Sequence, residues 1–270
     1  MKRLVKTITL ISFSALILCS CKSKQPQEID LSSIHTTAAP TKESAAPETK
    51  PSAAEPTTAA SNKGNSSVKP GVSASLGTYQ SGDISIEYPV VSHMDDSELE
   101  KTVNEQLKSN ALAVIKGYDV KEDSDTLKVQ CKVITADRKG ITVTYTGSYN
   151  AKGAAHPVNI FYTNTINLNN GADVGLADYG DAESLAAYVQ SDDCQFYGVS
   201  SDVETAAREY LAKQKASDLQ SIFEKADFPI NGSTFPESFS YEKQGVIYVS
   251  VPVPHAVGDY VLVKFTPETK

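Results

Sequence analysis

Residues 22–75 constrain the fold most, because this segment lacks the side chains that a hydrophobic core requires. Ala, Thr, Ser and Pro supply 31 of its 54 residues, and it contains no aromatic residue. A chain of this composition buries too little apolar surface to offset the entropy lost on ordering. We therefore predict a disordered tether over residues 21–75, which leaves residues 76–270 to form the folded part.

The first 20 residues have the pattern of a bacterial lipoprotein signal peptide. Three cations among the first six residues precede an apolar run from Thr7 to Leu18, as in a secretory signal. The run is well short of the ~20 residues that span a bilayer. Cys21 follows a small residue, Ser20, whereas Cys19 follows a leucine. Because lipoprotein processing requires small residues before the acceptor thiol, we predict residues 1–20 as the signal peptide and Cys21 as the lipidated residue.

Lipidation of Cys21 predicts an extracytoplasmic protein that is anchored to the cell membrane. One acyl chain binds a membrane only marginally, whereas two chains give stable attachment, so a diacylated Cys21 needs no transmembrane helix. The alternative interpretation is a plain secretory signal with cysteines at its end. The membrane is thus the first predicted partner.

The predicted folded part is strongly acidic. The whole chain has a formal charge of −8, and residues 76–270 contain 16 cations against 28 acids, a net −12. This balance excludes a general nucleic-acid binder, which needs positive charge to displace counterions. It favours a cationic partner through electrostatic steering, although ordinary acidic solubility explains it equally well.

Hydrophobic periodicity predicts an α+β fold of antiparallel sheets with packed amphipathic helices. Apolar residues recur at every fourth position within Asp95–Lys116, which predicts a helix, and Ser201–Glu204 resembles a capping box that opens helical pattern to about Ala226. Period-two alternation predicts strands at residues 84–88, 126–135, 141–149, 157–168, 238–251 and 260–265. This order of elements predicts two fused subdomains, residues 76–150 and 151–270.

Two cysteines remain after the predicted processing, Cys131 and Cys194. Cys131 lies on the apolar side of a period-two strand, where we expect a small core residue. A disulfide between the two is permitted outside the cytoplasm. The sequence leaves open whether they pair.

The sequence contains no catalytic signature, and we predict no cofactor and no metal site. It lacks the Gly-x-Ser-x-Gly, His-Glu-x-x-His and phosphate-binding glycine motifs. A zinc site built from His156, His255 and an acid is less economical than two structural histidines at loop corners. The acidic segment Asp173–Glu183 does not match an EF-hand loop, so we expect a solvated loop before a helix. The 13 tyrosines are expected to pair across strands, and without Trp they are weak evidence for sugar binding.

Two short segments are unusual enough to mark candidate binding loops. Lys152–Pro157 and Pro252–Tyr260 combine Pro, Gly and small residues with a histidine, and each leads into a predicted strand. Backbone geometry alone explains such corners, yet binding residues concentrate in loops. The candidate partner-binding residues are His156, Pro157, Pro254, His255 and Tyr260.

The order of these motifs resembles an extracytoplasmic domain family of bacteria. Tyr88-Pro89, an amphipathic helix, a hairpin, the segment Gly153–Pro157, a strand and the turn Asn169–Gly171 follow one another as in that family. The family occurs in the anti-sigma factor RsiV and in the non-catalytic part of the peptidoglycan deacetylase PdaC. The corner Pro254–Tyr260 is similar to the family's Pro-aromatic-Ala-x-Gly segment, with a histidine in place of the aromatic residue. The resemblance covers Thr78–Phe265.

The resemblance implies a surface module of the cell envelope. In RsiV the module is similar to a receptor domain that binds lysozyme, and in PdaC it accompanies a wall-modifying enzyme. We expect no anti-sigma role, because Met1–Lys6 is too short to hold a sigma factor, and no deacetylase activity, because no deacetylase domain follows Phe265.

We therefore expect a non-enzymatic, lipid-anchored envelope-binding protein whose partner is a cationic protein such as lysozyme. A module that binds peptidoglycan or another wall glycan is the alternative, and an unrecognised hydrolase is the third possibility. We do not expect a nucleic-acid partner.

Overall fold

In the computed structural model of this chain, the residues described are 71–230 and 234–266. All of them belong to one compact unit, Gly64–Lys270. The predicted signal peptide, the predicted lipidation of Cys21 and most of the predicted tether lie outside the described residues. Within the described ranges, no helix is both long enough and apolar enough to cross a membrane.

The described residues form an α+β fold, which confirms the predicted fold class. The strands are β1 Ser73–Ser81, β2 Ile84–Ser92, β3 Thr126–Ala136, β4 Gly140–Asn150, β5 Val158–Asn167, β6 Gln195–Tyr197, β7 Ser240–Lys243, β8 Val246–Pro252 and β9 Tyr260–Phe265. The helices are α1 Ser97–Gly117, α2 Leu176–Tyr179, α3 Ala182–Val189, α4 Ser201–Leu211 and α5 Ala216–Phe223, with a 3-10 helix at His255–Val257. The strands form two sheets, in the orders β1-β2-β3-β4-β5 and β6-β9-β8-β7.

The first sheet is antiparallel except where α1 joins two parallel strands. β2 and β3 pair in parallel only over Ile84–Ile86. Beyond that point the Glu87 carboxylate accepts the Cys131 N–H at 2.9 Å in place of a strand partner, and Pro89 has no N–H to donate. The buried side chains of α1 that pack against the core of this sheet are Val103, Leu107, Ala111 and Val114.

The start of α1 follows from side-chain capping. The Asp96 carboxylate accepts hydrogen bonds from the N–H groups of Glu98 and Leu99, at 3.0 and 3.1 Å. These are donors that a helix cannot satisfy within itself. The helix spans Ser97–Gly117, which confirms the predicted helix Asp95–Lys116 to within two residues.

The second sheet presents one apolar face to a layer of short helices. Its core contains alternate residues of β8 and β9 together with buried residues of α3, α4 and α5. Cys194 belongs to this core, whereas Cys131 belongs to the core of the first sheet. Both cysteines are free, so they do not form a disulfide. Burial raises the pKa of Cys131 to about 12 and that of Cys194 to about 11.

Two predicted boundaries lie inside the first sheet. Ser73–Ser75 pair with β2 as the start of β1, although the prediction placed them in the tether. β5 pairs with β4 from Gly140 to Tyr149, so the first sheet crosses the boundary predicted between residues 150 and 151. Residues after 150 thus supply β5, the edge strand of a sheet whose other strands lie before that boundary.

The predicted capping box at the start of α4 is wrong by one residue. The N-cap is Ser200, whose hydroxyl accepts the Val203 N–H at 3.4 Å. Glu204 does not complete a box, because its carboxylate pairs with Arg208 at 2.8 Å. The single helical run predicted to about residue 226 is divided into α4 and α5.

The two sheets are joined at the buried carboxylate of Asp227. Its oxygens accept hydrogen bonds from the N–H and the hydroxyl of Ser240, both at 2.6 Å, and from the Leu176 N–H at 2.7 Å. The Thr163 hydroxyl donates to the Ser240 carbonyl at 2.6 Å and lies 3.4 Å from the carboxylate. One side chain therefore connects β5 of the first sheet, β7 of the second sheet and the start of α2. Burial raises the pKa of Asp227 to about 6, and these hydrogen bonds oppose that rise.

This carboxylate should make the stability depend on pH. The pKa of Asp227 is about 6 in the folded protein and near 3.8 when exposed, so the folded state binds the proton more tightly. The resulting stabilisation is fully present below pH 3.8 and is lost as the pH rises through 6. Its size is roughly 3 kcal/mol, because one pH unit corresponds to about 1.4 kcal/mol.

The measurement is the free energy of unfolding of wild type and Asp227→Asn between pH 4 and pH 7. We expect the variant to be less stable throughout, because its amide group faces N–H and hydroxyl donors. The difference between the two proteins should shrink by roughly 2.4 kcal/mol between pH 4 and pH 7, because at pH 4 the carboxyl of the unfolded chain is already about half ionised. A difference that stays constant over this range would show that Asp227 does not titrate there.

Candidate functional site

The loop between β4 and β5 is fixed at its start by Asp125. The carboxylate accepts the backbone N–H groups of Lys121 and Lys152, both at 2.9 Å, and the Tyr149 hydroxyl at 3.0 Å. The N–H of Lys121, then that of Lys152, lower the pKa of Asp125 below its usual value. This loop carries His156, so the position of the histidine depends on a carboxylate 31 residues earlier in the sequence.

The corner between β8 and β9 is a turn of 3-10 helix that ends in two left-handed residues. Pro254 precedes the helix His255–Val257, and Gly258 and Asp259 follow with φ of +116° and +72°. Gly258 adopts this conformation readily because it has no Cβ, and aspartate is among the residues that tolerate it. The Asp259 carboxylate lies 2.9 Å from Nδ1 of His255.

The two corners meet through Asn159 and Asp259. The Asn159 N–H donates to Asp259 Oδ2 at 2.8 Å, and the Asn159 side-chain amide donates to the Gly258 carbonyl at 3.4 Å. The rings of His156 and His255 lie 6.2 Å apart between centroids. We call Lys152–Asn159 and Pro254–Tyr260 together the histidine corner.

All five candidate partner-binding residues predicted from the sequence belong to the histidine corner. His156, Pro157, Pro254 and His255 are exposed. Tyr260 is half-buried and stacks on Phe161 of β5, with ring centroids 5.2 Å apart. Burial, and then the charge of Asp259, raise the pKa of Tyr260. The lipidation site predicted at Cys21 lies outside the described residues.

The titratable side chains of the histidine corner include one carboxylate–imidazole pair. Nδ1 of His255 contacts Asp259, and in the described part of the chain no hydroxyl or thiol donates to this imidazole. Among residues 71–230 and 234–266, no group of three or more His, Cys, Asp or Glu side chains is placed to hold a metal ion.

The acidic segment 173–183 is built from capping and bridging carboxylates. Asp173 accepts hydrogen bonds from three side-chain amides, those of Gln106, Asn110 and Asn164, and it therefore connects α1 to β5. Asp178 accepts the Gly175 N–H at 2.9 Å. The expected solvated loop before a helix is therefore wrong, because the segment contains α2 and the half-buried Asp173.

Sequence reasoning missed the residues that hold the histidine corner together. Asp125, Asn159 and Phe161 were not singled out, since each is an ordinary residue in a strand or a turn. Asp259 lay inside a quoted motif, but its contact with Asn159 spans 100 residues. Only the packing of the two sheets, which brings β5 of one near β9 of the other, places these groups together, and no local pattern encodes that packing.

No protein-family model matches this sequence, and no curated protein matches it. A solved structure similar to this chain is a member of the DUF3298 family from Bacteroides fragilis, with 12% identity and a TM-score of 0.40, covering 72% of this chain and 90% of that one. Another is a DUF3298 family protein from Pseudomonas aeruginosa, with 11% identity and a TM-score of 0.40, covering 72% of this chain and 89% of that one. These structural neighbours are DUF3298 family proteins, and we carry no functional residue over from them.

Asp259 should contribute measurably to stability. Asp259→Ala removes the acceptor for the Asn159 N–H and the partner of His255, and it places an alanine at a positive φ. We expect the free energy of unfolding to fall by about 2 kcal/mol, which is the size expected for a hydrogen bond to a charged group together with backbone strain. Asp259→Asn should lose less, because asparagine keeps an acceptor and tolerates this φ.

Chemical denaturation of these variants provides the measurement. Asp123→Ala, which changes an exposed carboxylate for which no hydrogen bond is recorded, is the matched control and should shift the free energy of unfolding by less than about 0.5 kcal/mol. Equal losses for Asp259→Ala and Asp123→Ala would contradict the role given to Asp259.

Proposed function

We propose that this chain is a non-enzymatic, lipid-anchored binding protein of the bacterial cell envelope, similar to the module of RsiV and PdaC. In this proposal the histidine corner binds a cationic protein such as lysozyme. The observation that supports it is the convergence of two loops, 100 residues apart in sequence, into one exposed surface. His156 and His255 are exposed side by side there, with ring centroids 6.2 Å apart, as a partner-binding surface would need.

The charge around the histidine corner favours a cationic partner. Asp119 has a side chain that is 86% exposed and pairs with Nζ of Lys121 at 2.6 Å, and its charge raises the pKa of Tyr149 after the effects of burial and Asp125. Asp259 acts on Tyr118 in the same way, after burial. These acids border the corner, within a folded part whose net charge is −12 by 16 cations and 28 acids. Such a field steers a cationic protein toward this surface and raises its association rate.

The side chains of the corner suit the centre of a protein interface. Rigid rings bury large contact areas at low cost in conformational entropy, and aromatic residues are enriched among the side chains that dominate binding. His156 and His255 supply two exposed rings, and the prolines beside them restrict the backbone. The binding contacts would thus be largely preorganised.

The experiment measures the binding of hen-type lysozyme to the full chain attached to a sensor surface. We expect saturable binding with a Kd in the micromolar range or below, and an association rate that falls as salt rises, because exposed charges are screened beyond ~8 Å at physiological ionic strength. The double variant His156→Ala/His255→Ala should bind at least fivefold more weakly, although it retains every carboxylate.

The matched control is His93→Asn. His93 is an exposed histidine with φ of +70°, a conformation that asparagine tolerates. His93 lies before the start of α1, whereas the histidine corner lies near the residue that follows the end of α1. The 21-residue helix places these two ends about 30 Å apart. The control should bind as wild type. If the folded double variant also binds as wild type, the corner is not the site, and if wild type shows no saturable binding at low salt, the cationic partner is wrong.

The anchor is tested separately by mass spectrometry of the protein purified from bacterial membranes. We expect an N-terminal Cys21 that carries acyl chains, and we expect Cys21→Ser to abolish both the lipid mass and the membrane association. Cys19→Ser should leave both unchanged, because its cysteine leaves with the predicted signal peptide. An unmodified N-terminus at another residue would refute the lipoprotein assignment.

A further inference from the structure

β1 is an edge strand of the first sheet and carries none of the features that usually protect such an edge. It spans nine residues, Ser73–Ser81, and pairs with β2 in one continuous register without a bulge. Residues 71–82 contain no charged residue and no proline. Natural sheets protect exposed edges with short strands, charges, prolines or bulges, because an open edge is a template for pairing with another strand.

The other edge strands within the described ranges are short or covered. β6 has three residues and β7 has four. β5 has ten residues, but the segment after it folds back along the strand. The Asn167 N–H donates to the Ala172 carbonyl and the Val174 N–H donates to the Thr165 carbonyl, both at 2.9 Å. β1 is thus the long edge strand that the described residues leave open.

The pairing of β1 with β2 determines which backbone groups face the open edge. Both backbone groups of Val91 bond to the Asn104 side chain, at 2.7 and 2.9 Å, so they point away from β1. Ala74 lies opposite Val91 and therefore points its own N–H and C=O away from β2, because opposite residues of an antiparallel pair exchange both bonds or neither. The same holds at every second residue. Within residues 71–230 and 234–266 no hydrogen bond satisfies these outward-facing groups, which belong to Ala74, Leu76, Thr78 and Gln80.

We propose that the open edge of β1 binds β1 of a second copy of this chain in antiparallel orientation. In the register that places Gly77 opposite its own counterpart, Leu76 lies opposite Thr78 of the other copy. Ala74 then lies opposite Gln80. All four outward-facing residues exchange backbone hydrogen bonds in this register, about eight in total, around one two-fold axis. The two first sheets thus form one continuous sheet.

The composition of β1 favours a second copy over a charged partner. Residues 76–270 carry a net charge of −12, from 16 cations and 28 acids, so two copies repel each other at long range. β1 itself adds no charge to this repulsion, and the Glu87 carboxylate of the neighbouring strand is turned to the Cys131 N–H. Leu76 is 49% exposed, and the proposed register sets it diagonally beside Leu76 of the other copy, within reach of an apolar contact. A cationic partner finds no carboxylate on this strand.

The test combines sedimentation of the full chain with amide hydrogen exchange measured by NMR over the same protein concentrations. The interface of two single strands is small, so we expect a dimer with a Kd of roughly 100 µM. The amides of the four outward-facing residues should exchange at least threefold more slowly at about 1 mM protein than at about 20 µM, because most of the chain is then dimeric. The amides of Gly77 and Tyr79, which point to β2, should not change with concentration.

The variant Leu76→Lys/Thr78→Lys adds the kind of charge that protects other edges, and it sets like charges opposite each other across the proposed interface. Both side chains are exposed, so the variant should melt at the same temperature as wild type at low concentration, and its Kd should rise at least tenfold. The matched control Thr135→Lys/Thr146→Lys adds the same charge at exposed positions of β3 and β4. The control should dimerise as wild type.

Three outcomes would overturn the proposal. The first is a wild type that remains monomeric at about 1 mM. The second is a dimer that the charged variant forms equally well, or in which the four outward-facing amides keep their exchange rates. The third is protection of these amides in the dilute monomer, which would assign the edge to a segment of the same chain. The histidine corner lies at β5, on the opposite edge of this sheet, so the lysozyme experiment retains its own outcome.

Discussion

The Asp227 carboxylate is the contact on which the arrangement of the two sheets depends. A buried carboxylate is unfavourable unless its oxygens are fully hydrogen-bonded, and here the donors come from β7 and the start of α2, while the Thr163 hydroxyl of β5 donates to the Ser240 carbonyl beside the carboxylate. The site leaves little room for change, since a Cβ at Gly175 would lie 2.9 Å from Cβ of Asp227. Moving either sheet would separate the carboxylate from some of its donors. The interaction thus selects one relative placement of strands that share no backbone hydrogen bonds.

The same chemistry recurs wherever segments distant in sequence must be joined. Asp125 holds the loop before β5, Asp173 holds α1 against β5, and Asp259 holds the two halves of the histidine corner. Some of the carboxylates counted in the sequence therefore accept internal hydrogen bonds from N–H and amide donors. The net charge of residues 76–270 remains −12, but the number of acids available for contacts at the surface is smaller than the count of 28 indicates.

Local patterns predicted the elements that local chemistry determines. The predicted α1 was correct because a four-residue apolar period and the Asp96 cap lie within one segment, and β9 was predicted with its observed ends because its alternation is regular. β1 was missed at its start because Ser73–Ser75 are small, polar residues that a tether and an edge strand accommodate equally. The packing of the Tyr197 ring against that of Tyr248, with centroids 4.8 Å apart, was not predicted either, since only the strand order β6-β9-β8-β7 brings these two residues to one face.

The long separation between the halves of the histidine corner has a consequence for when that surface comes into existence. Asn159 and Asp259 are 100 residues apart, and closing so large a loop is among the slowest steps available to a chain of this size. Neither half presents the paired imidazoles alone. A newly made or partly unfolded molecule therefore lacks this surface, which forms only once the second sheet has docked against β5.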